Sequence, residues 1–545
     1  MPSIEATSVA PGAAPVWPTV STPPLSTLGS EQVALPVAVL GAGPVGLAAV
    51  AQLIERELPF VVLEASEHVG ANLLDYGHVQ LFSPWQYNVD GTIAKLLRPT
   101  GWQPPQPDEL PTAGEIARRV LQPFVQLPQV SAGLHLRTRV VSVSREGFDK
   151  VKSQGREFAP FVIRAVRDGR PIELRARAVI DSTGTWNTPN PVGASGLPAL
   201  GEHEAAPHIF YGIPDVLGAH RARYEGKRTL VVGAGHSAAN ALLALAALAR
   251  QSPTTTLVWS VRTPVLTRVF GGGDADALPA RGALGASLRR LRDSGALEFN
   301  AGLRINEIVR HGGKLAVAGV DGKGQAVRID GIDEIICATG QRPDLSLTRE
   351  LRVKLDPWLE SNEALGPLID PNEHSCGTVR PHGHRELSHP EPGLYTVGVK
   401  SYGRAPTFLM ATGYEQVRSV VAAIAGDLEA ADRVELSLPE TGVCGVGDAS
   451  SEGIGCGTSC EPAKPRAKNA GLEKAGPCGT SSCGVSGKAS EPVDAVATGC
   501  CGGPAKADAS ACCVLDEHMK SQGTLGCGCS APKAAPAPRA ATCCG

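Results

Sequence analysis

Short, continuously apolar runs alternate along the chain with longer segments of helical period, and some of these runs fall into matching pairs. Val37–Leu40 and Phe60–Leu63 have strand length. Between them, from Pro44 to about Glu57, Val, Leu and Ala recur with helical spacing. Strand, turn, helix and strand in that order predict a parallel β-α-β unit. The order returns at Thr229–Val232, Ser237–Ala249 and Thr256–Val261. Elsewhere the pattern predicts an amphipathic helix over Glu115–Phe124 and a strand over His135–Val143. Phe161–Val166 and Ile172–Ala176 predict a hairpin turning at Asp168-Gly169. AVIDSTG (Ala178–Gly184) and IDEIICATG (Ile332–Gly340) each predict a buried strand running into a turn of small residues. Gly393–Gly398 predicts another strand, leading into a helix over Thr412–Ala425. Residues 1–33, rich in Pro, Ala, Ser and Thr, and 434–545, rich in Gly, Ala, Ser, Pro and Lys, lack such periodicity. Neither has the apolar surface to offset its ordering entropy, so a disordered leader and tail are expected.

The turns inside the two units carry the candidate chemistry. The first is Gly41-Ala-Gly43-Pro44-Val-Gly46, a GxGxxG between strand and helix. Gly41 permits the sharp bend, Gly43 lets a pyrophosphate approach the backbone, and Gly46 lets helix and strand pack closely. Pro44 suits the first helical position, and the helix start offers amide N–H groups and a positive dipole end to the phosphates. The second apolar run ends in Glu64, at about the 20-residue distance where a ribose-binding acid is expected. A carboxylate there suits FAD or NAD(H) and repels a 2′-phosphate. In the second unit the turn is Gly233-Ala-Gly235-His-Ser237-Ala238, a GxGxxA, and the strand ends in Arg262, with Arg268 following. A guanidinium at that place can hold a 2′-phosphate. The first site is therefore expected to take FAD and the second NADPH. The bland alternative for Arg262 is a solvated charge at a strand end.

Length and charge narrow the remaining classes. The 545 residues leave room for two to four domains, and a net charge of -3 predicts neither nucleic-acid nor anionic-membrane binding. No Lys or Arg precedes Arg56, so no secretory signal is expected, and the most apolar helical run, Ala238–Ala249, is too short to span a bilayer. Of the 15 cysteines only Cys337 and Cys376 precede residue 440; the others lie between Cys444 and Cys544. Such thiol usage points to a reducing cytoplasm. In the tail, Cys500-Cys501, Cys512-Cys513, Cys527-Gly-Cys529 and Cys543-Cys544 could gather a soft metal or metalloid; the bland alternative is a solvated linker. His374, Cys376, His382, His384 and His389 form a histidine-rich loop that reads either as a ligand set or as solvated side chains.

Taken together, these residues resemble the flavoproteins with two dinucleotide-binding domains: flavin-containing and Baeyer–Villiger monooxygenases and thioredoxin-reductase-like enzymes. The resemblance covers about residues 36–430. It rests on Gly41–Gly46 with Glu64, Gly233–Ala238 with Arg262, and the turns Ser182-Thr183-Gly184 and Ala338-Thr339-Gly340. It implies an α/β fold of two Rossmann-like domains, an NADPH domain (226–335) being inserted in a split FAD domain (34–225 and 336–433). It also implies cofactor contacts at Thr183, Gly184, Thr339, Gly340 and Gly398. Gly398-Val399 stands where the reductases carry Gly-Asp, and Gly70-Ala71 where the family usually has Gly-Gly. Neither nucleotide unit offers the reductases' close cysteine pair. A monooxygenase-like FxG…HxxxY is present in stretched form as Phe210, Gly212, His220 and Tyr224. Ser83 or Asn88 could serve oxygen activation; no catalytic acid or base is identified.

GRAPTFLMATGYEQVRSV (Gly403–Val420) and HSCGTVRPHG (His374–Gly383) extend the resemblance to flavoproteins associated with metal efflux and arsenic resistance. The implied function is NADPH-dependent monooxygenation of a small soft nucleophile, such as a trivalent arsenical or a thiol. The alternatives are a reductase passing electrons through the tail cysteines, and a soft metal(loid)-binding protein. A homodimer is among the assemblies the sequence allows.

Overall fold

The computed structural model describes residues 35–264, 270, 278–372 and 379–436. The leader, Arg268, His374, Cys376 and every cysteine of the tail lie outside them.

Two five-stranded parallel sheets organise the chain. The first joins β1 (Val37–Leu40), β2 (Phe60–Leu63), β3 (Leu134–His135), β7 (Ala178–Asp181) and β16 (Leu394–Thr396) in the order β16-β7-β1-β2-β3. The second joins β8 (Ile209–Tyr211), β9 (Arg228–Val232), β10 (Thr256–Val261), β11 (Glu298–Ala301) and β15 (Glu334–Cys337) in the order β11-β10-β9-β15-β8. All strands of the second sheet fall in sequence between β7 and β16 of the first, so the second unit is an insertion in the first. That unit already begins at β8, ahead of residue 226, because Ile335–Cys337 of β15 takes Ile209–Tyr211 as a parallel edge. Each unit carries a three-stranded antiparallel sheet: β4 (Thr138–Arg145), β5 (Phe161–Arg167) and β6 (Arg170–Ala176) in one, β12 (Arg304–His311), β13 (Lys314–Val320) and β14 (Ala326–Ile332) in the other.

Among the described residues four long helices cover the parallel sheets: α1 (Pro44–Glu55), α2 (His236–Gln251), α3 (Pro279–Asp293) and α4 (Met410–Ile424). β1 and β7 are buried at every position, as strands covered on both faces must be. α1 and α4 share one core, in which Leu47, Val50 and Leu53 meet Val417, Val420 and Val421. Gly413 brings the two helices together: a Cβ there would lie 2.5 Å from Val45 Cγ2.

Three local features refine the expected elements. The hairpin turns as predicted, with Asp168 (φ 48°) and Gly169 (φ 77°) both left-handed, the backbone of a tight two-residue turn. The strand expected over 135–143 is broken. β3 ends at His135, Arg137 takes φ 49°, and the chain leaves the first sheet to start β4. The helix over Glu115–Phe124 contains a π-helical segment, Ala117–Leu121. Pro123 has no N–H for the Arg119 carbonyl four residues back, and Trp102 Nε1 donates to that carbonyl instead, at 2.8 Å.

A buried ion cluster ties β4 to the segment entering β16. Glu391, 1% exposed, accepts from Arg145 Nε (2.8 Å) and Arg156 Nη2 (2.7 Å), and both arginines are buried.

Candidate functional site

The three glycines of the first turn meet three different surroundings. Gly41 has φ +97°, and a Cβ on it would lie 2.9 Å from the Ser182 carbonyl oxygen. A Cβ on Gly46 would lie 2.1 Å from the Gly41 carbonyl oxygen, so this position admits only hydrogen. Around Gly43 nothing lies within 4 Å of the Cβ position. The open side of the turn is therefore at Gly43, where α1 begins with Pro44, no side-chain cap and no acid in its first turn. Uncapped amides at an open helix start suit an anion. Glu64 accepts from Ala42 N and from Ser66 N, each at 2.8 Å. Its carboxylate is thus anchored against the turn, with lone pairs left for ribose hydroxyls.

The second turn repeats the design with one change. Gly233 has φ +137°, with its Cβ position 2.2 Å from the Ala338 carbonyl oxygen, while no described residue comes within 4 Å of the Cβ position of Gly235. The third position is Ala238, fully buried, so this helix tolerates a methyl group where α1 does not. α2 also starts without a side-chain cap or an early acid. Ser237 lines a cleft with Trp186, Tyr211, Ala338 and Gly340. Arg262 follows β10, exposed, and spends one donor on the Ala194 carbonyl at 3.2 Å, which leaves most of its fork free to meet a phosphate. Thr339 is engaged with its own side of the fold, its hydroxyl lying 3.1 Å from the Asn190 carbonyl. A Cβ on Gly340 would lie 3.5 Å from Asn190 Nδ2.

A third group gathers at the carboxyl ends of β7 and β16. Gly184 (φ +71°) faces Val399 Cγ1 and the Asn72 amide, 3.7 and 3.9 Å from its Cβ position. Gly398 (φ +69°) lies over Val45 of α1 and donates its N–H to Gln416 Oε1 at 2.7 Å. The structure thus brings Thr183-Gly184 and Gly398-Val399 together beside the start of α1.

Segment 72–85 bridges the two units. Trp186 Nε1 donates to Asp75 Oδ2 at 2.9 Å and its ring packs on Tyr76, with centroids 4.7 Å apart. Phe82 packs on His236, the first residue of α2, at 5.0 Å. Asn88, weighed above for oxygen activation, is 1% exposed. Its amide donates to the Ser83 and Pro84 carbonyls at 2.6 and 2.8 Å. Ser83 Oγ donates to Asn88 Oδ1 at 3.2 Å. These two residues lock their own loop.

The stretched FxG…HxxxY becomes a packed cluster. The Phe210 and His220 rings are 5.0 Å apart, His220 Nδ1 accepts from Asp215 N at 3.1 Å, and Tyr224 is fully buried. Within the histidine loop, His382 and His389 are buried. The Arg380 carbonyl lies 3.0 Å from His382 Nδ1, so that nitrogen carries the proton and Nε2 accepts from Gln416 Nε2 at 2.9 Å. His384 pairs with Asp432 at 2.9 Å. Among the described residues no cluster of His, Cys, Asp and Glu could hold a metal, and no helix is long and apolar enough to cross a membrane. Cys337, 2% exposed, has its thiol 3.2 Å from Thr339 Oγ1, and burial pushes its pKa up to about 12.

No family model matches the chain, and none of the curated proteins matches it. Solved structures do. The bacillithiol disulfide reductase Bdr (YpdA) from Bacillus cereus is 17% identical, with 72% of this chain and 99% of that chain covered at a TM-score of 0.53. The same enzyme from Staphylococcus aureus is 14% identical, with 72% and 98% covered and a TM-score of 0.52. DfoA, the cadaverine monooxygenase of the desferrioxamine pathway from Erwinia amylovora, solved with FAD bound, is 13% identical, with 77% and 99% covered and a TM-score of 0.50. At such identities the likeness is one of fold.

Proposed function

We propose that this chain is an NADPH-dependent FAD oxidoreductase whose electron acceptor is O2, a monooxygenase of a small soft nucleophile. The observation that carries the dinucleotide reading is the paired geometry of the two turns. In each, one glycine is jammed against the neighbouring strand end and the next opens onto space at an uncapped helix start. In this reading Gly41, Gly43, Pro44, Gly46 and Glu64 hold FAD by its pyrophosphate and ribose, with Thr183, Gly184 and Gly398 toward its ring. Gly233, Gly235, Ser237, Ala238, Arg262, Thr339 and Gly340 hold NADPH, joined by Arg268 from the sequence. Bound FAD supplies the two-electron chemistry, taking electrons from NADPH and handing them to the acceptor. The protein's own part is to align the two dinucleotides across the cleft and keep water from it.

Cys337 favours oxygen as the acceptor. It is the one cysteine among the described residues, it is buried, and desolvation disfavours the thiolate that disulfide exchange needs. A trivalent arsenical or thiol is the proposed substrate class, gathered by the tail cysteines Cys500 to Cys544. The reductase reading keeps one specific support, the many thiols beyond residue 440. Deleting residues 435–545 separates the two. Under the monooxygenase reading, truncation raises the apparent KM for the soft substrate and leaves substrate-dependent O2 uptake at saturation intact. Loss of that uptake, with disulfide reduction present only in the full chain, would overturn it.

Arg262→Ala tests the coenzyme assignment. Losing a charge-assisted contact to a phosphate costs about 1.5–3 kcal/mol, which raises KM for NADPH roughly 10- to 100-fold and leaves NADH use unchanged. Equal damage with both coenzymes in steady-state kinetics would make Arg262 structural.

A further inference from the structure

Beneath the Ser182-Thr183-Gly184 turn lies an ion pair that the site described above does not use. Lys400, in the helical turn Gly398–Tyr402, is 3% exposed, and Asp181, the last residue of β7, is fully buried. The Lys400 ammonium donates to Asp181 Oδ2 at 2.7 Å and to Thr183 Oγ1 at 2.9 Å. Asp181 Oδ1 accepts from Thr183 Oγ1 at 2.7 Å and from Thr183 N at 3.1 Å. The hydroxyl of Thr183 thus donates to the carboxylate and accepts from the ammonium, which engages its proton and one of its two lone pairs. The two charges come from opposite sides of the insertion, one ahead of the second unit in sequence and one after it.

Lys400 is the cation that faces this carboxylate; Asp344 also interacts with the Lys400 charge, and Glu360 stands at the wall of the cavity behind the pair. Behind the pair is a cavity that Asp181 and Lys400 line together with His389, Thr396 and Asn362. His389 adds no charge there, because burial pushes its pKa down to about 4. Asn362 Oδ1 has no hydrogen-bond partner. On the other side, Val399 and Gly398, the neighbours of Lys400 in sequence, face Gly184 and α1. Holding a turn in place does not require two buried charges, since an apolar pair of similar volume is often as stable.

We infer that Lys400 and Asp181 are positioning residues for the flavin, holding the Thr183-Gly184 turn and setting the electrostatic field in which the cofactor is reduced. The inference rests on the FAD assignment proposed above. Reduction adds negative charge to the cofactor, so a nearby cation favours the reduced form and a nearby anion disfavours it. The neutral pair balances the two, and removing either member tips the field in a known direction.

The test is made on the full-length chain with Lys400→Met, Asp181→Asn, the double variant and Lys400→Arg. Two quantities are read: FAD affinity, by titration of the apoprotein, and the flavin midpoint potential, by equilibration with redox dyes. Both single variants are expected to weaken FAD, Lys400→Met by roughly tenfold or more through the lost charge-assisted bond to Thr183. The midpoint potential is expected to fall in Lys400→Met and rise in Asp181→Asn. It should return toward the wild-type value in the double variant and stay near it in Lys400→Arg. A merely structural pair would shift both single variants the same way or not at all, and that result overturns the inference while leaving the flavoenzyme reading standing. Where one single variant is too unstable to purify, the other decides by the sign of its shift: a fall in Lys400→Met or a rise in Asp181→Asn supports the inference, and any other result overturns it. A wild-type chain that takes up no FAD overturns the flavoenzyme reading and this inference with it.

Discussion

Replacing Gly43 with valine is expected to give a folded protein that binds no FAD, whereas the same change at Gly46 is expected to give no folded protein. The residues sit in one turn and share a side-chain type, but their surroundings differ. At Gly43 the added Cβ meets nothing described within 4 Å, so the branched side chain has room to settle and the secondary structure and melting temperature of the apoprotein are expected to stay close to wild type. The isopropyl group instead fills the space where the pyrophosphate would approach the amides at the start of α1. At Gly46 the added Cβ lies 2.1 Å from the Gly41 carbonyl and 2.6 Å from Ser182 Oγ. Relief would require α1 to move off β1, out of a core in which Leu47, Val50 and Leu53 are fully buried. Circular dichroism and bound-flavin absorbance on the two variants check both halves. A Gly43→Val protein that keeps its FAD would place the cofactor elsewhere.

Glu391→Ala is expected to be the most destabilising single change away from the cofactors. Its carboxylate is 1% exposed between two buried guanidiniums, Arg145 and Arg156, and it also accepts from Arg352 N at 3.1 Å. Removing it leaves two like charges buried without a counterion, which costs about 3–5 kcal/mol. Burial alone would raise the carboxyl pKa. The hydrogen bonds from Arg156 and Arg145 outweigh it and hold the group below the usual carboxylate range. The folded-state pKa is depressed, so this stabilisation is complete above the unfolded-state value and is lost as pH falls through the depressed one. Urea titrations at neutral and acid pH should show the wild-type advantage over Glu391→Ala shrinking only on the acid side. Asp330→Ala, which removes the exposed partner of Arg328 (66% and 49% exposed), should leave the urea midpoint unchanged.

Much of this architecture was legible in the sequence because glycine turns are local. Gly41, Gly43 and Gly46 announce a strand, a bend and a helix within a few residues, and the repeat at Gly233 announces the second unit. Asp168-Gly169 announced its hairpin for the same reason. The features that escaped depend on contacts distant in sequence. β8 is a strand only because β15 lies beside it, and the break at Arg137 reflects a chain changing sheets. The Pro123 distortion is completed by Trp102, whose indole finds the freed carbonyl. His382 and His389 looked like ligands or solvated loop residues. They are buried imidazoles, and His382 meets Gln416 from α4. Lys400 gave no signal, since a lysine in a Gly-rich turn ordinarily points to water; its partner Asp181 lies 219 residues earlier. In the FxG…HxxxY stretch, the Phe210 and His220 rings pack on each other across the loop between Gly212 and His220.

In the function proposed above, two dinucleotides face each other across this fold, with electrons passing from the Arg262 side to the Glu64 side. Anaerobic mixing of the purified full-length protein with NADPH, followed by flavin absorbance, tests it most directly. The expected result is a yellow protein holding FAD in equimolar amount, bleached by NADPH and much more slowly by the same concentration of NADH. A colourless protein that cannot be reconstituted with FAD, or a bound flavin that NADPH leaves oxidised, would contradict it.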